Sequence, residues 1–348
     1  MRRTYAVAAL AVALTLSLAL AGCQQGGAKA KAGVVIGFTN WTLGDAFCVD
    51  LQNGIIKAAE KEGVKVIAYN NEGGKEVDNT RTMLTQEVTA AIMCYWDPNL
   101  AKTSIDLLKE KNIPIMAVDI PMPGTVFLGV ENYSVGKQGG EYIAKWIKEN
   151  WGGKIDLMVV INSPTEGELV AKRFQGQEDA ILKEIAYPKE QIEYADGGGW
   201  AEGALKVTRP ILAKHTQAQK IAFVVENDPC SIGIITALEE AGKAGNAIMV
   251  TQGVQKDTQP LIRGGASPVK AGVAYFPENY GAQGVPKLLE IISQVRKGVP
   301  LAEAYKAVVK DSSIQFVVDN QNYTEPAVYV KTQVLTPSTI DKFYPAAK

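Results

Sequence analysis

The chain has 348 residues, 36 basic against 37 acidic, with a formal net charge of −1 and no basic block, so nucleic acid and acidic membrane surfaces are not expected as partners. A chain of this length holds two domains with ample apolar core and needs neither disulfide nor metal staples. Its single histidine, His215, leaves metal catalysis and imidazole general-base chemistry poorly supplied.

At the N-terminus, Met1-Arg2-Arg3 is followed by an apolar run from Ala6 to Ala19 and then by Leu20-Ala21-Gly22-Cys23. The run is too short to span a bilayer but suits the h-region of an export signal. Leu-Ala-Gly-Cys in this place resembles the bacterial lipobox. That resemblance implies that residues 1–22 are a lipoprotein signal peptide and that Cys23 is the lipidation site; an ordinary signal peptide with an incidental cysteine is the alternative. Residues 23–32, rich in Gln, Gly, Ala and Lys without apolar periodicity, then form a lipid-anchored tether.

From Val34 onward, short β-rich runs alternate with amphipathic stretches. The first series predicts strands at Val34–Phe38, Val64–Tyr69, Ala90–Tyr95 and Ile113–Val118, with helices over Phe47–Glu62, Val77–Val88 and Leu100–Lys111. Ile120-Pro121-Met122-Pro123-Gly124 interrupts it. The second series predicts strands at Thr125–Val130, Ile155–Ile161, Ile192–Ala195, Ile221–Val225, Ile248–Gln252 and Lys270–Tyr275, with helices over Tyr133–Asn150, Glu168–Ile185, Trp200–His215 and Ser231–Ala244. Strict alternation is the signature of parallel sheets covered by helices on both faces. Such strands read as continuous apolar runs, as Ile92-Met93-Cys94-Tyr95 does. Ligands of open α/β sheets sit beyond the carboxyl ends of the strands, which singles out the loops 39–46, 95–99, 162–168, 197–200, 226–230 and 252–255.

Cys48, Cys94 and Cys230 are too few and too scattered for a disulfide framework. They read as small buried hydrophobes; a Cys48–Cys94 bridge stays open, since spacing does not fix geometry.

The chain resembles the type I periplasmic sugar-binding proteins, the ribose- and galactose-binding group that serves ABC importers. Val35-Ile36-Gly37-Phe38 with Phe47-Cys48-Val49-Asp50-Leu51-Gln52-Asn53-Gly54 is similar to that family's opening strand, aromatic loop and helix. Ile113-Pro114-Ile115-Met116-Ala117-Val118-Asp119, Arg173-Phe174-Gln175-Gly176, Asn227-Asp228, and Val330-Lys331-Thr332-Gln333 with Ile340-Asp341 follow in the family's order. The resemblance implies an α/β fold of two Rossmann-like lobes joined by a three-segment hinge. One lobe is expected from 33–118 with 276–325 and the other from 119–275 with 326–348, with crossings near Asp119, near Tyr275 and between Ser313 and Ala327.

The same resemblance implies a ligand site. Asp97 falls where the family carries a carboxylate that accepts sugar hydroxyls, although an N-cap for the helix at Leu100 would use the same residue. Asn227 holds the matching place in the other lobe, or forms a turn before Pro229. Trp200 either stacks on a sugar face or packs in the lobe core. Trp41, Asp45, Phe47 and Trp96 lie in the first two cleft loops, some of them as packing. Arg173 sits two residues beyond the family's sugar-binding arginine, whose place is Ala171 here, so a structural ion pair is the competing role. Gln252 replaces the usual aspartate and Tyr275 the usual glutamine, which shifts the expected ligand toward a less polar sugar, deoxysugar, polyol or nucleoside.

The expected function is an extracytoplasmic solute-binding lipoprotein, monomeric and without cofactor or metal. It captures a small neutral sugar-like ligand and delivers it to an ABC permease. Alternatives on the same fold are a receptor subunit for chemotaxis or autoinducer sensing and a nucleoside-binding protein. A hydrolase is disfavoured because Ser163 and Ser231 have no evident histidine partner, and a repressor because an N-terminal DNA-binding helix pair is not found.

Overall fold

The computed structural model describes residues 33–95, 98–265 and 267–346. The expected signal peptide, Cys23, the tether, Trp96 and Asp97 lie outside the described residues. In chain order the elements are β1 (Val35–Asn40), α1 (Ala46–Lys61), β2 (Lys65–Asn70), α2 (Glu76–Thr85), β3 (Ala90–Cys94), α3 (Pro98–Glu110), β4 (Ile115–Val118), β5 (Val126–Gly129) and α4 (Asn132–Trp151). They continue with β6 (Leu157–Asn162), α5 (Gly167–Glu184), β7 (Glu193–Asp196), α6 (Ala201–Lys214), β8 (Ile221–Val225), α7 (Asp228–Glu240), β9 (Ala247–Gly253), α8 (Gln259–Gly264) and β10 (Val269–Ala274). Last come α9 (Tyr280–Arg296), α10 (Leu301–Val308), β11 (Ser313–Val318), β12 (Gln321–Tyr329) and β13 (Gln333–Leu335).

These strands build two sheets, one in the order β11-β12-β5-β4-β3-β1-β2 and one in the order β13-β10-β9-β8-β6-β7. Pairing is parallel except in the β11/β12 hairpin and between β10 and β13. Every residue of β3, β4 and β8 is buried, because helices cover both faces of the sheet. One face of β8, with Ala222 and Val224, shares a core with Phe174 and Ile181 of α5, while Phe223 and Val225 join Ile234 and Leu238 of α7 on the other. The expected α/β fold of two lobes is present.

The sheets place the lobe boundaries differently from the expected ones. The strand β5 registers with β4 through Met116 and Val126, so the first crossing follows Gly129 and is not at Asp119. The Pro-Gly segment that separates the two series is a short crossover inside one sheet. At the other end, Ala327–Tyr329 of β12 pairs with β5, while β13 pairs with β10. The third crossing is therefore at residues 330–332, and residues 326–329 belong to the first lobe. The second crossing lies at 275–279, since β10 belongs to the second sheet and α9 packs on α1.

Close packing of α4 on α5 fixes one wall of the cleft. A Cβ on Gly136 would stand 2.0 Å from the Arg173 carbonyl oxygen, and one on Gly176 would stand 2.2 Å from that of Tyr133. Only glycine permits backbones to meet so closely, and this approach sets Arg173 beside Asn132 at the start of α4.

Candidate functional site

A cavity of about 420 Å³ opens between the two lobes. Its walls include all eight of the described residues expected at a ligand site: Trp41, Asp45, Phe47, Arg173, Trp200, Asn227, Gln252 and Tyr275. Trp41, Asp45, Trp200 and Asn227 stand in loops after strands, Phe47 in the first turn of α1, Arg173 within α5, Gln252 near the end of β9 and Tyr275 directly after β10, so they gather at the carboxyl ends of the strands, where open α/β sheets hold ligands. His215, by contrast, pairs with Glu193 at 2.8 Å and lies outside the cavity lining.

On the first lobe, Asp45 is the N-cap of α1. Its carboxylate accepts from the Phe47 N–H at 2.7 Å, and the Gln255 amide of the other lobe donates to it at 3.3 Å. Burial raises the Asp45 pKa from the ordinary range, and the hydrogen bonds pull against that rise. Phe47 packs edge-on against Tyr280, with centroids 5.7 Å apart. Cys48 and Cys94 are free, buried thiols that meet on this wall.

On the second lobe, Asn227 is the N-cap of α7. Its Oδ1 accepts from Cys230 N–H at 2.9 Å and its amide donates to the Gly199 carbonyl at 3.0 Å. Its side chain thereby holds the Gly199–Trp200 turn against the cap of α7. Tyr275 donates through its hydroxyl to Gln252 Oε1 at 3.0 Å. The Arg173 guanidinium donates from Nε to Asn132 Oδ1 and from one Nη to the Glu226 carbonyl, each at 3.0 Å. It lies 5.3 Å from the centre of the Tyr275 ring. Among the described residues Arg173 has no carboxylate within ion-pair distance, so the structural ion pair weighed for it from the sequence is not formed. Trp200 is 43% exposed and meets Trp41 of the first lobe edge to face, with centroids 5.8 Å apart.

Three acidic residues of the lining were not anticipated: Asp119, Glu166 and Glu226. Burial lifts the Asp119 carboxyl to about 7 although Arg173 and the Tyr280 hydroxyl act the other way. Glu226 is raised to about 9, first by burial and then by Glu166 alongside it, while Arg173 and Ser163 oppose the shift. The sequence does carry a signal for Glu226. It continues the alternation of Ala222 and Val224, the β8 residues that face α5.

A family profile described as periplasmic binding protein domain matches residues 36–294. The ribose import binding protein of Escherichia coli (strain K12) is 26% identical over 301 residues, covering 85% of this chain and 96% of that protein. The xylitol-binding protein of Mycolicibacterium smegmatis is 23% identical over 73% of this chain and 72% of its own length. In fold, the chain is similar to a periplasmic solute-binding protein of Actinobacillus succinogenes 130z solved with D-allose. The TM-score is 0.67 at 17% identity, over 89% of this chain and all of that one. With its two mostly parallel sheets, the cavity between them and a profile match over most of its length, the chain belongs to the periplasmic binding protein family, whose members are binding proteins and not enzymes.

Proposed function

We propose that the protein is the solute-binding component of an ABC importer, capturing a sugar, deoxysugar or polyol outside the cytoplasm and presenting it to a permease. The observation that carries this reading is the composition of the cavity. Indole and phenyl faces stand beside hydrogen-bonding groups from both lobes, the pairing that a ring with apolar C–H faces and polar hydroxyls requires. Ribose, xylitol and allose, named for the relatives above, are ligands of this chemical kind. Leu20-Ala21-Gly22-Cys23 behind an apolar run supports acylation of Cys23 and retention at the membrane, with Gln24–Ala32 as the tether.

A thermal-shift screen over sugars, polyols and nucleosides tests the capture reading. A true ligand at a hundredfold excess over its dissociation constant stabilises the fold by about 2.7 kcal/mol; no shift with any compound would overturn it. Cell fractionation tests the anchor. Cys23→Ala moves the protein from the membrane to the soluble fraction, and a variant that still pellets with membranes overturns the lipobox.

A further inference from the structure

The cavity has a charge imbalance. Its lining carries the carboxyl groups of Asp45, Asp119, Glu166 and Glu226, and among the described residues Arg173 is its one cation. The guanidinium donates to Asn132 and to a main-chain carbonyl; it stands beyond ion-pair distance of all four and opposes the rise of Asp119 and Glu226 only from that range. Two of the carboxyls converge. A Cβ on Gly199 would stand 2.5 Å from Glu166 Oε1 and 3.6 Å from Glu226 Oε1, and glycine at that place leaves the two acids room beside the Trp200 turn. Glu226 is only 2% exposed, it lines the cavity, and its Oε2 has no hydrogen-bond partner among the described residues. A buried carboxyl oxygen left in this state asks for a donor from whatever fills the cavity.

Two like charges at close range in a dry site cannot both stay ionised without a counter-ion. Hydroxyl groups donate hydrogen bonds but bring no charge. A protonated amine brings both, with three donors on one point charge, and an indole face beside it adds cation–π attraction.

We propose that the captured ligand is an amine-bearing polyol, an amino sugar or aminopolyol whose ammonium docks on the Glu166–Glu226 pair beside Trp200. This rests on the capture reading above and departs from the uncharged ligand expected from the sequence. In the empty protein burial and the neighbouring Glu166 keep a proton on Glu226. The groups facing Glu226 are Glu166 and Ser163 from the loop after β6, Arg173 from α5, Cys230 from α7 and Tyr275 beyond β10. Burial raises the thiol and the phenol, so both are neutral at pH 7. An ammonium therefore displaces the proton on Glu226, and binding releases it to solvent.

The test uses the full chain and three matched pairs: D-glucosamine with D-glucose, D-galactosamine with D-galactose, and D-mannosamine with D-mannose, added to the screen above. The amine of at least one pair should bind about tenfold tighter than its hydroxyl partner, the worth of one charge-assisted hydrogen bond. Calorimetry of that amine at pH 7 in two buffers of different ionisation enthalpy should show release of about one proton. Glu226→Gln should lower its affinity by about tenfold and abolish the release. Tight binding of hydroxyl ligands only, or amine binding without proton release, overturns the proposal and leaves capture standing. Failure of every compound overturns capture and this proposal together.

Discussion

Asp228 and Glu226 flank Asn227 at the start of α7, and both are buried, at 1% and 2% exposure. Their surroundings could hardly differ more. Asp228 accepts from the hydroxyls of Thr251 and Thr258, the latter at 2.8 Å, and from the Gln255 N–H at 2.8 Å. Burial lifts it to about 6, and those three donors limit the rise. Glu226 has a second acid beside it, an oxygen without a partner, and a pKa lifted to about 9. Side chains two residues apart therefore do different work: one ties β9 and α8 to α7, and the other waits on the cavity wall. Burial alone does not separate a structural carboxylate from a binding one; the number of satisfied oxygens does.

The two acids should differ most under truncation. Asp228→Ala leaves the Gln255 N–H and the Thr251 hydroxyl hydrogen without an acceptor in the interior and should lower stability by roughly 3–5 kcal/mol in urea unfolding. Glu226→Ala removes an unsatisfied group and should cost far less. Equal losses from the two variants would show that the distinction is false.

A subtler measurement uses pH. Each of these acids has a folded pKa above its unfolded one, so each contributes stability below the unfolded value and loses it as pH rises through the folded value. Asp228 finishes near 6 and Asp119 near 7, which leaves Glu226 to titrate up to about 9. Between these last two values the empty wild type should lose about 2 kcal/mol, since a proton held by the folded chain alone is worth about 1.4 kcal/mol for each step of one in pH. Glu226→Gln should flatten that decline. A parallel decline in both proteins would assign the proton elsewhere.

The smallest effect concerns closure. Trp200→Ala removes the edge contact with Trp41, worth about 0.5–1.5 kcal/mol, and should shift the empty protein toward open lobes with little change in stability. Small-angle scattering would record a larger radius of gyration. An unchanged radius would mean that the Gln255–Asp45 hydrogen bond and the Lys256–Asp50 ion pair, also across the cleft, suffice alone.

Much of this architecture was legible in the amino-acid order. Continuous apolar runs marked the strands covered on both faces, and the loops following them marked the cleft, where eight expected residues do meet. The boundaries were less legible, because the prolines and glycine at 121–124 give the same local text whether the chain leaves a sheet or returns to it. Glu226 was passed over in favour of Asn227 beside it. Loop chemistry names residues able to bind, but only the packing of α5 against β8 and of Gly199 against Glu166 brings Glu226 to the cavity wall beside Asn227 and leaves Asp228 in the interior.

The indoles of Trp41 and Trp200 belong to different lobes and stand 5.8 Å apart, so their environment depends on the angle of the hinge. The Trp146–Trp151 pair lies within the second lobe, 4.9 Å apart, and does not share that dependence. The protein thus carries a built-in optical reporter with its own internal standard, and the kinetics of lobe movement can be followed by ultraviolet emission without attaching a dye.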